Sequence, residues 1–429
     1  MILLYRVLTT LLYPLLIILI FFRKIFNKED SVRYKEKIFY NSFSVVRENK
    51  TKLFWFHAAS IGELKSIIPI INDLNDNVEN IQFLVTTVTL SSGSLAKDVF
   101  KDYNNVSHRF FPLDVFFLME KFISLWKPDI IFIVETEIWP NLISIAKKNH
   151  IPLAIINARL TRKTFNRWNL FPNTAKKIFN SFDMCLTANK ETKEFLTRFK
   201  VKNVFFLGNI KLINKIDFKN LETINENFLS KNIVWCALST HNTEEVFCLK
   251  AHVKLKEKIA NLKTIIAPRH INRVSSIKKI SERLGLKSQI LNKNEKIAEN
   301  SEIIIINSFG NINEFLKYTK SVFIGKSTIK KLEKVGGQNP IDAAKLGCRI
   351  YHGPYVYNFE DIYEILKENN VSQLVKTPSE LAEYLSNDLK KEVEKNKDFS
   401  KTMDELGNKT FIETMKTINE FLPNEIIKT

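Results

Sequence analysis

Cysteine is scarce in this chain: four in 429 residues, at Cys185, Cys236, Cys248 and Cys348. None stands in a C-x-x-C pair or at zinc-ligand spacing with a histidine pair, so no metal site is expected. Four scattered thiols argue against a disulfide framework and for core packing in a reducing compartment. The glycine signatures of nucleotide chemistry are also missing. No G-x-x-x-x-G-K-[ST] occurs, which argues against a P-loop ATPase. No G-x-G-x-x-G follows the first strand, which disfavours a dinucleotide oxidoreductase. There is no short-period repeat, no low-complexity tract and no nucleic-acid motif, so no nucleic-acid partner is expected.

Acidic charge is in deficit as well. Lys and Arg number 64 against 46 Asp and Glu, a formal net charge of +18. Such an excess fits an anionic partner, a phosphorylated substrate or a membrane surface, and equally a plain solvated basic face. Met1 to Phe22 is nearly all apolar and about as long as a membrane span requires. Arg23, Lys24, Lys28, Arg33, Lys35 and Lys37 follow it. No small-residue cleavage site follows the run. The positive-inside rule then keeps the body of the chain in the cytoplasm, behind an N-terminal anchor over 1–28.

From Lys52 onward, short apolar runs alternate with helix-length stretches. The runs are Leu53–Phe56, Ile81–Val85, Ile130–Val134, Leu153–Ile156, Cys185–Ala188 and Val204–Leu207. After a polar stretch at 209–227 they resume at Ile233–Ala237, Thr264–Ala267, Ile303–Ile306 and Ser321–Ile324. Continuous apolar runs with crossover segments indicate buried parallel strands. The expected fold is α/β, two doubly wound Rossmann-like domains at 29–212 and 228–403 facing a cleft. A linker spans 213–227, and a terminal helix lies within 404–429. Ligands in such folds sit beyond the carboxyl ends of the strands.

Several loops there carry chemistry. Ser60 to Glu63 matches the capping box S-x-x-E, with Glu63 bonding back to the Ser60 amide. The same carboxylate, at a strand end, can take a proton from a hydroxyl. Glu135 and Glu137 follow the third run, where buried carboxylates are costly unless bonded or used. Thr86 to Gly93 reads either as a helix cap or as an anion site. In the second half, Ser239-Thr240-His241 and Pro268-Arg269-His270 follow strands, and Arg269 has the fork geometry that suits phosphate. Gly336-Gly337 allows close backbone approach, and Asp342 is placed to accept from ribose hydroxyls.

Together these loops resemble the 3-deoxy-D-manno-octulosonic acid (Kdo) transferase family. The matching elements, in family order, are Trp55 to Glu63, Glu135 to Asn141, Asn157 to Leu160, Gly208 to Lys211 and Ser239 to His241. Pro268 to His270, Gly336 to Pro340, Gly353-Pro354 and Asn358-Phe359 complete the set. The resemblance implies a GT-B glycosyltransferase with CMP-Kdo as donor and a lipid A precursor, lipid IVA, as acceptor. It implies inverting, metal-independent, cofactor-free transfer in lipopolysaccharide core biosynthesis, on the cytoplasmic side of the inner membrane among anionic lipids. Glu63 takes the place of the family's catalytic base, supported by Ser60, Glu135, Glu137 and Lys211. Arg269, Ser239, Thr240, Gly310, Gly337, Asn339 and Asp342 fall on the donor side. The chain departs from the family pattern at Gln338, often His, at Asp342, often Glu, at Gly310-Asn311, usually Gly-Glu, and at Gly325-Lys326-Ser327, usually Gly-Gly-Ser. Two other readings remain: a GT-B relative using a UDP-sugar, as transferase or epimerase, and a non-enzymatic basic membrane protein.

Overall fold

Runs such as Ile130–Val134, buried along their whole length, leave the chain little choice but parallel strands covered on both faces. The structure is a computed structural model that describes residues 1–422 apart from 49, 136, 217–220, 309–311 and 391–396. It divides into two compact units, one of Met1–Asn214 with Gly407–Thr429 and one of Lys215–Leu406.

The first unit holds a seven-stranded parallel sheet in the order β3-β2-β1-β4-β5-β6-β7. Its strands are β1 (Lys52–His57), β2 (Ile81–Thr87), β3 (Val106–Phe110), β4 (Ile130–Val134), β5 (Leu153–Ala158), β6 (Met184–Thr187) and β7 (Val204–Phe206). One face is packed by Trp55, Trp126, Leu142 and Phe179, the other by Phe56, Ile67, Phe132 and Ile418. Ile418 belongs to the helix Lys397–Phe421, whose later turns complete this core from the far end of the sequence.

The second unit repeats the plan in the order β10-β11-β9-β8-β12-β13-β14. Its strands are β8 (Ile233–Thr240), β9 (Leu262–Pro268), β10 (Ser288–Leu291), β11 (Ile303–Ile306), β12 (Ser321–Ile324), β13 (Arg349–His352) and β14 (Ser372–Leu374). Sequence reading finds neither β3, β10 and β14, which lie at sheet edges and are partly polar, nor β13, whose short run is flanked by Arg349 and His352. All four cysteines are buried free thiols.

The N-terminal helix Ile2–Ile25 is long and apolar enough to cross a membrane. It is nevertheless docked along one side of the first unit. Tyr5 donates to Asp114 (3.1 Å), the Arg6 guanidinium lies 3.8 Å from the Phe116 ring centroid, and Tyr13 donates to the Ile38 carbonyl. Asp114 also accepts from the Asn141 and Leu142 amides at the start of the helix Pro140–Lys148. On the opposite side Leu4, Leu8, Leu11, Leu15 and Phe22 are exposed.

Candidate active site

In both sheets the chain reverses its direction of travel at one pair of neighbouring strands: β1 and β4 in the first unit, β8 and β12 in the second. Loops diverge there and open a crevice at the strands' carboxyl ends. Ser60, Glu63, Glu135, Glu137, Ser239 and Thr240 sit at or beside these strand ends, whereas Lys211 follows β7 and Arg269 follows β9.

In the first unit Ser60 caps the helix Ile61–Asn77 that follows β1. The Ser60 hydroxyl donates to Glu63 Oε1 at 2.7 Å, and the Ala59 amide donates to Oε2 at 2.7 Å. The capping bond thus goes to the residue before Ser60, not to the Ser60 amide. Burial pushes the Glu63 carboxyl up, the negative charge of Glu135 pushes it further, and the two hydrogen bonds offset only part, so it stands at about 7. A carboxylate that titrates near neutrality suits a general base.

Glu135 directly follows β4 with φ 59°, the left-handed region that a non-glycine residue enters at a cost. That turn aims its carboxylate at Lys211, with which it pairs. The Lys211 stem runs beside the Glu63 helix; a Cβ on Gly62 would stand 3.8 Å from its Cε. Asn157, at the end of β5 with φ 58°, stands 3.5 Å from Glu135 Oε1 and accepts from the Ile210 amide at 3.1 Å. It thereby ties β5, Glu135 and the Lys211 turn together. Glu137 lies 3.9 Å from Nε2 of His57, a buried ring stacked on Phe111 and bonded by Nδ1 to the Thr86 hydroxyl at 3.0 Å. Sequence reasoning gave neither His57 nor Asn157 a role. The available signal was their position: each is a polar side chain at the carboxyl end of a buried strand. Of the open readings for Thr86 to Gly93, the cap is what forms. Thr89 and Ser92 cap each other reciprocally, and Gly93 leaves room for Phe110, whose ring a Cβ would approach to 2.6 Å.

In the second unit Ser239 is left-handed (φ 54°) and half-buried, an irregularity near the end of β8 where the register with β9 shifts. Thr240 is fully buried, so it supports the loop from below instead of lining it. Its carbonyl accepts from the Arg269 amide at 3.0 Å, which leaves the Arg269 side chain exposed beside the β8 loop. Gly337 (φ 84°) donates its amide to the Lys326 carbonyl at 2.6 Å, and a Cβ there would stand 2.9 Å from Val356 Cα. Asn339 accepts from the Ile341 amide at 2.9 Å and opens the short helix that carries half-buried Asp342. Gly310 lies outside the described residues.

Unannounced by sequence is the role of Glu244. Its carboxylate is fully buried and accepts from the amides of His241 (3.0 Å), Lys326 (2.6 Å), Ser327 (2.8 Å) and Thr328 (3.0 Å) and from the Thr328 hydroxyl (3.0 Å). One anion thus joins the loops after β8 and β12 across the switch point. The same two loops meet at Gly325, where a Cβ would lie 2.5 Å from the Ser239 carbonyl oxygen. Gly325→Ala is therefore expected to destabilise the protein by about 1–3 kcal/mol, the usual range for overpacking. Urea unfolding checks it, and an unchanged midpoint would show that the loops separate freely.

A family model described as 3-deoxy-D-manno-octulosonic-acid transferase matches residues 33–214. The 3-deoxy-D-manno-octulosonic acid transferase of Rickettsia bellii is 27% identical over 427 residues, covering 98% of this chain and 99% of that protein. A probable mitochondrial 3-deoxy-D-manno-octulosonic acid transferase of Arabidopsis thaliana is 30% identical, covering 88% of this chain and 85% of its own length. The chain belongs to the Kdo transferase family. It is accordingly a glycosyltransferase, with Kdo transfer in lipopolysaccharide biosynthesis as its field of action. Among solved structures, a putative UDP-N-acetylglucosamine 2-epimerase from Listeria monocytogenes superposes with TM-score 0.57 at 16% identity, covering 87% of this chain and 98% of that one. At that identity the likeness speaks for the fold alone, the two-Rossmann plan of the GT-B class.

Proposed function

We propose that this Kdo transferase moves Kdo from CMP-Kdo onto a sugar hydroxyl of a lipid A precursor, lipid IVA, by a single inverting displacement that uses no metal. The observation that carries the reading is Glu63: a buried carboxylate at a switch point, poised at about 7 and backed by an acidic neighbour. Glu63 removes the proton from the acceptor hydroxyl as that oxygen bonds to the anomeric carbon of Kdo. The bond from that carbon to the CMP phosphate oxygen breaks, and CMP leaves with the electron pair. Charge separation of this kind gives an oxocarbenium-like transition state. CMP departs as a stabilised anion and asks for no proton donor. Arg269, exposed beside the β8 loop, is the cation offered to its phosphate. Glu135 keeps the Glu63 proton affinity high, and Lys211 holds Glu135 in place.

The N-terminal helix supports a membrane site for this reaction. Because Tyr5, Arg6 and Tyr13 bind the globular unit, one side of the helix is already occupied by protein. Only its other, apolar side is left for lipid, which suits a helix lying in the cytoplasmic interface of the inner membrane. The adjacent Lys and Arg residues favour anionic headgroups there.

The test is incubation of the detergent-solubilised protein with CMP-Kdo and lipid IVA in EDTA, with products read by mass. Added Kdo masses, inhibition by CMP and none by UDP are expected. Consumption of a UDP-sugar instead would favour the other GT-B reading. With Glu63 as base, kcat should fall about tenfold per pH unit below about 7 and level off above it. A flat profile between pH 5.5 and 8 would remove Glu63 from that role.

A further inference from the structure

The helices Arg162–Asn169 and Pro172–Phe179 form a hairpin on the first unit, joined by Leu170 and Phe171. Its inner side is held firmly. Phe165 stacks on Phe195 at 4.2 Å, and Trp168 meets Phe179 edge-on at 5.5 Å. Its tip is not held. Leu170 is 72% exposed and Phe171 49% exposed, although the core beside them takes in every other Phe of the hairpin.

The surroundings of the tip are basic. Arg162, Lys163, Arg167, Lys176 and Lys177 are all exposed, Arg162 paired with Glu191 at 3.0 Å, and no Asp or Glu occurs from 162 to 182. The hairpin also lies on the same side of the sheet as the N-terminal helix. Both pack against Pro140–Lys148, and Ile2 shares a crevice with Ile143, Lys177, Ile178 and Ser181.

We propose that the Leu170–Phe171 turn is a second point of contact with an anionic bilayer, seated at headgroup level beside the N-terminal helix. Two exposed apolar side chains at the turn of a hairpin rich in lysine and arginine match a lipid surface in both respects. The apolar tip enters the acyl boundary while the cations stay with the phosphates. A protein partner fits less well. Stable protein interfaces take about 800 Å² from each side, and a two-residue tip offers no such area. A second, separated contact also restrains rocking of the first unit about the long axis of the N-terminal helix more tightly than one narrow helix face does. The carboxyl ends of β1 and β4 are then held at one orientation to the surface from which a lipid-linked acceptor is drawn.

The proposal rests on the membrane reading of the N-terminal helix, and its test separates the two. Leu170→Cys and Leu11→Cys are made singly in the full-length protein and labelled with an environment-sensitive fluorophore; the native thiols are buried and do not compete. Both labels should blue-shift on vesicles of phosphatidylglycerol mixed with phosphatidylcholine, and the label at 170 should shift less on phosphatidylcholine alone. A shift at 11 with none at 170 overturns the second contact and leaves the helix reading standing. No shift at either position removes both. A shift at 170 that grows with protein concentration in the absence of vesicles shows contact between copies of the chain and also overturns the proposal. The double variant Leu170→Ser, Phe171→Ser should bind the anionic vesicles about tenfold more weakly, from the loss of two inserted side chains. Unchanged affinity counts against it.

Discussion

Glu63→Gln is expected to lower kcat about a thousandfold while leaving the KM values for donor and acceptor within a few-fold of their starting points. The amide keeps the shape of the side chain. Its oxygen can accept from the Ala59 amide, and its nitrogen can donate to the Ser60 hydroxyl, so the helix cap survives with one bond reversed. What is lost is the ability to hold a proton. The same variant should be more stable than the parent at pH 8. Glu63 stands at about 7 in the folded protein against an ordinary 4.5, so the folded state binds the proton more tightly than the unfolded chain does. That contribution is complete below about 4.5 and is lost as pH rises through 7. Above 7 the buried anion costs up to about 3 kcal/mol relative to a neutral side chain. Thermal unfolding should therefore show Glu63→Gln above the parent at pH 8 and level with it near pH 4. Wild-type kcat in this variant would end the assignment of Glu63 as base. Lost activity without the pH-dependent gain in stability would point to damaged geometry instead.

The opposite kinetic pattern is expected at Glu244. Glu244→Ala leaves the amides of 241 and 326–328 without their acceptor, at a cost of about 3–5 kcal/mol for a fully buried anion with several donors. Glu244→Gln is the finer probe. One oxygen remains, but the new NH2 faces amides that are themselves donors, so either the Ser327 and Thr328 amides or those of His241 and Lys326 lose their acceptor. On the donor reading of these loops, KM for CMP-Kdo should rise about 10- to 100-fold, with kcat at saturating donor nearly kept. Urea unfolding alongside the kinetics separates loop positioning from global loss of structure. An unchanged KM in a folded Gln variant would mean that the loops after β8 and β12 hold their places without the carboxylate.

Much of this architecture could be read from the chain because a strand buried on both faces must be apolar throughout. Ile130–Val134 and Ile303–Ile306 admit few other interpretations. The edge strands β3 and β10 carry Ser107, His108, Arg109, Ser288 and Gln289, and their half-exposed pattern does not stand out from neighbouring loops. The site shows a similar division. Glu63 was legible because a capping motif at a strand end is a local feature, although the amide it binds was misplaced by one residue. The pairing of Lys211 with Glu135 joins residues far apart in sequence and required the turn after β7 to run back past β6 and β5 to the end of β4. Glu244 was legible only as an acid in the first turn of a helix. The groups that claim its oxygens are backbone amides, which every residue but proline carries and which leave no trace in sequence.

The helix that closes the first unit's core is made only after the second unit. Met415, Ile418 and Leu422 pack among Phe56, Ile67 and Phe132, and Thr410 presses against Gly208 at a point where a Cβ would stand 3.1 Å from its hydroxyl. All of 215–406 is made between the two parts of that core. A ribosome therefore releases the sheet β1–β7 with one face incompletely covered, and the second unit is free to fold first. Ribosome-arrested chains ending before residue 407 should leave the first unit more open to protease than the second, reversing the usual order in which the earlier-made domain matures first.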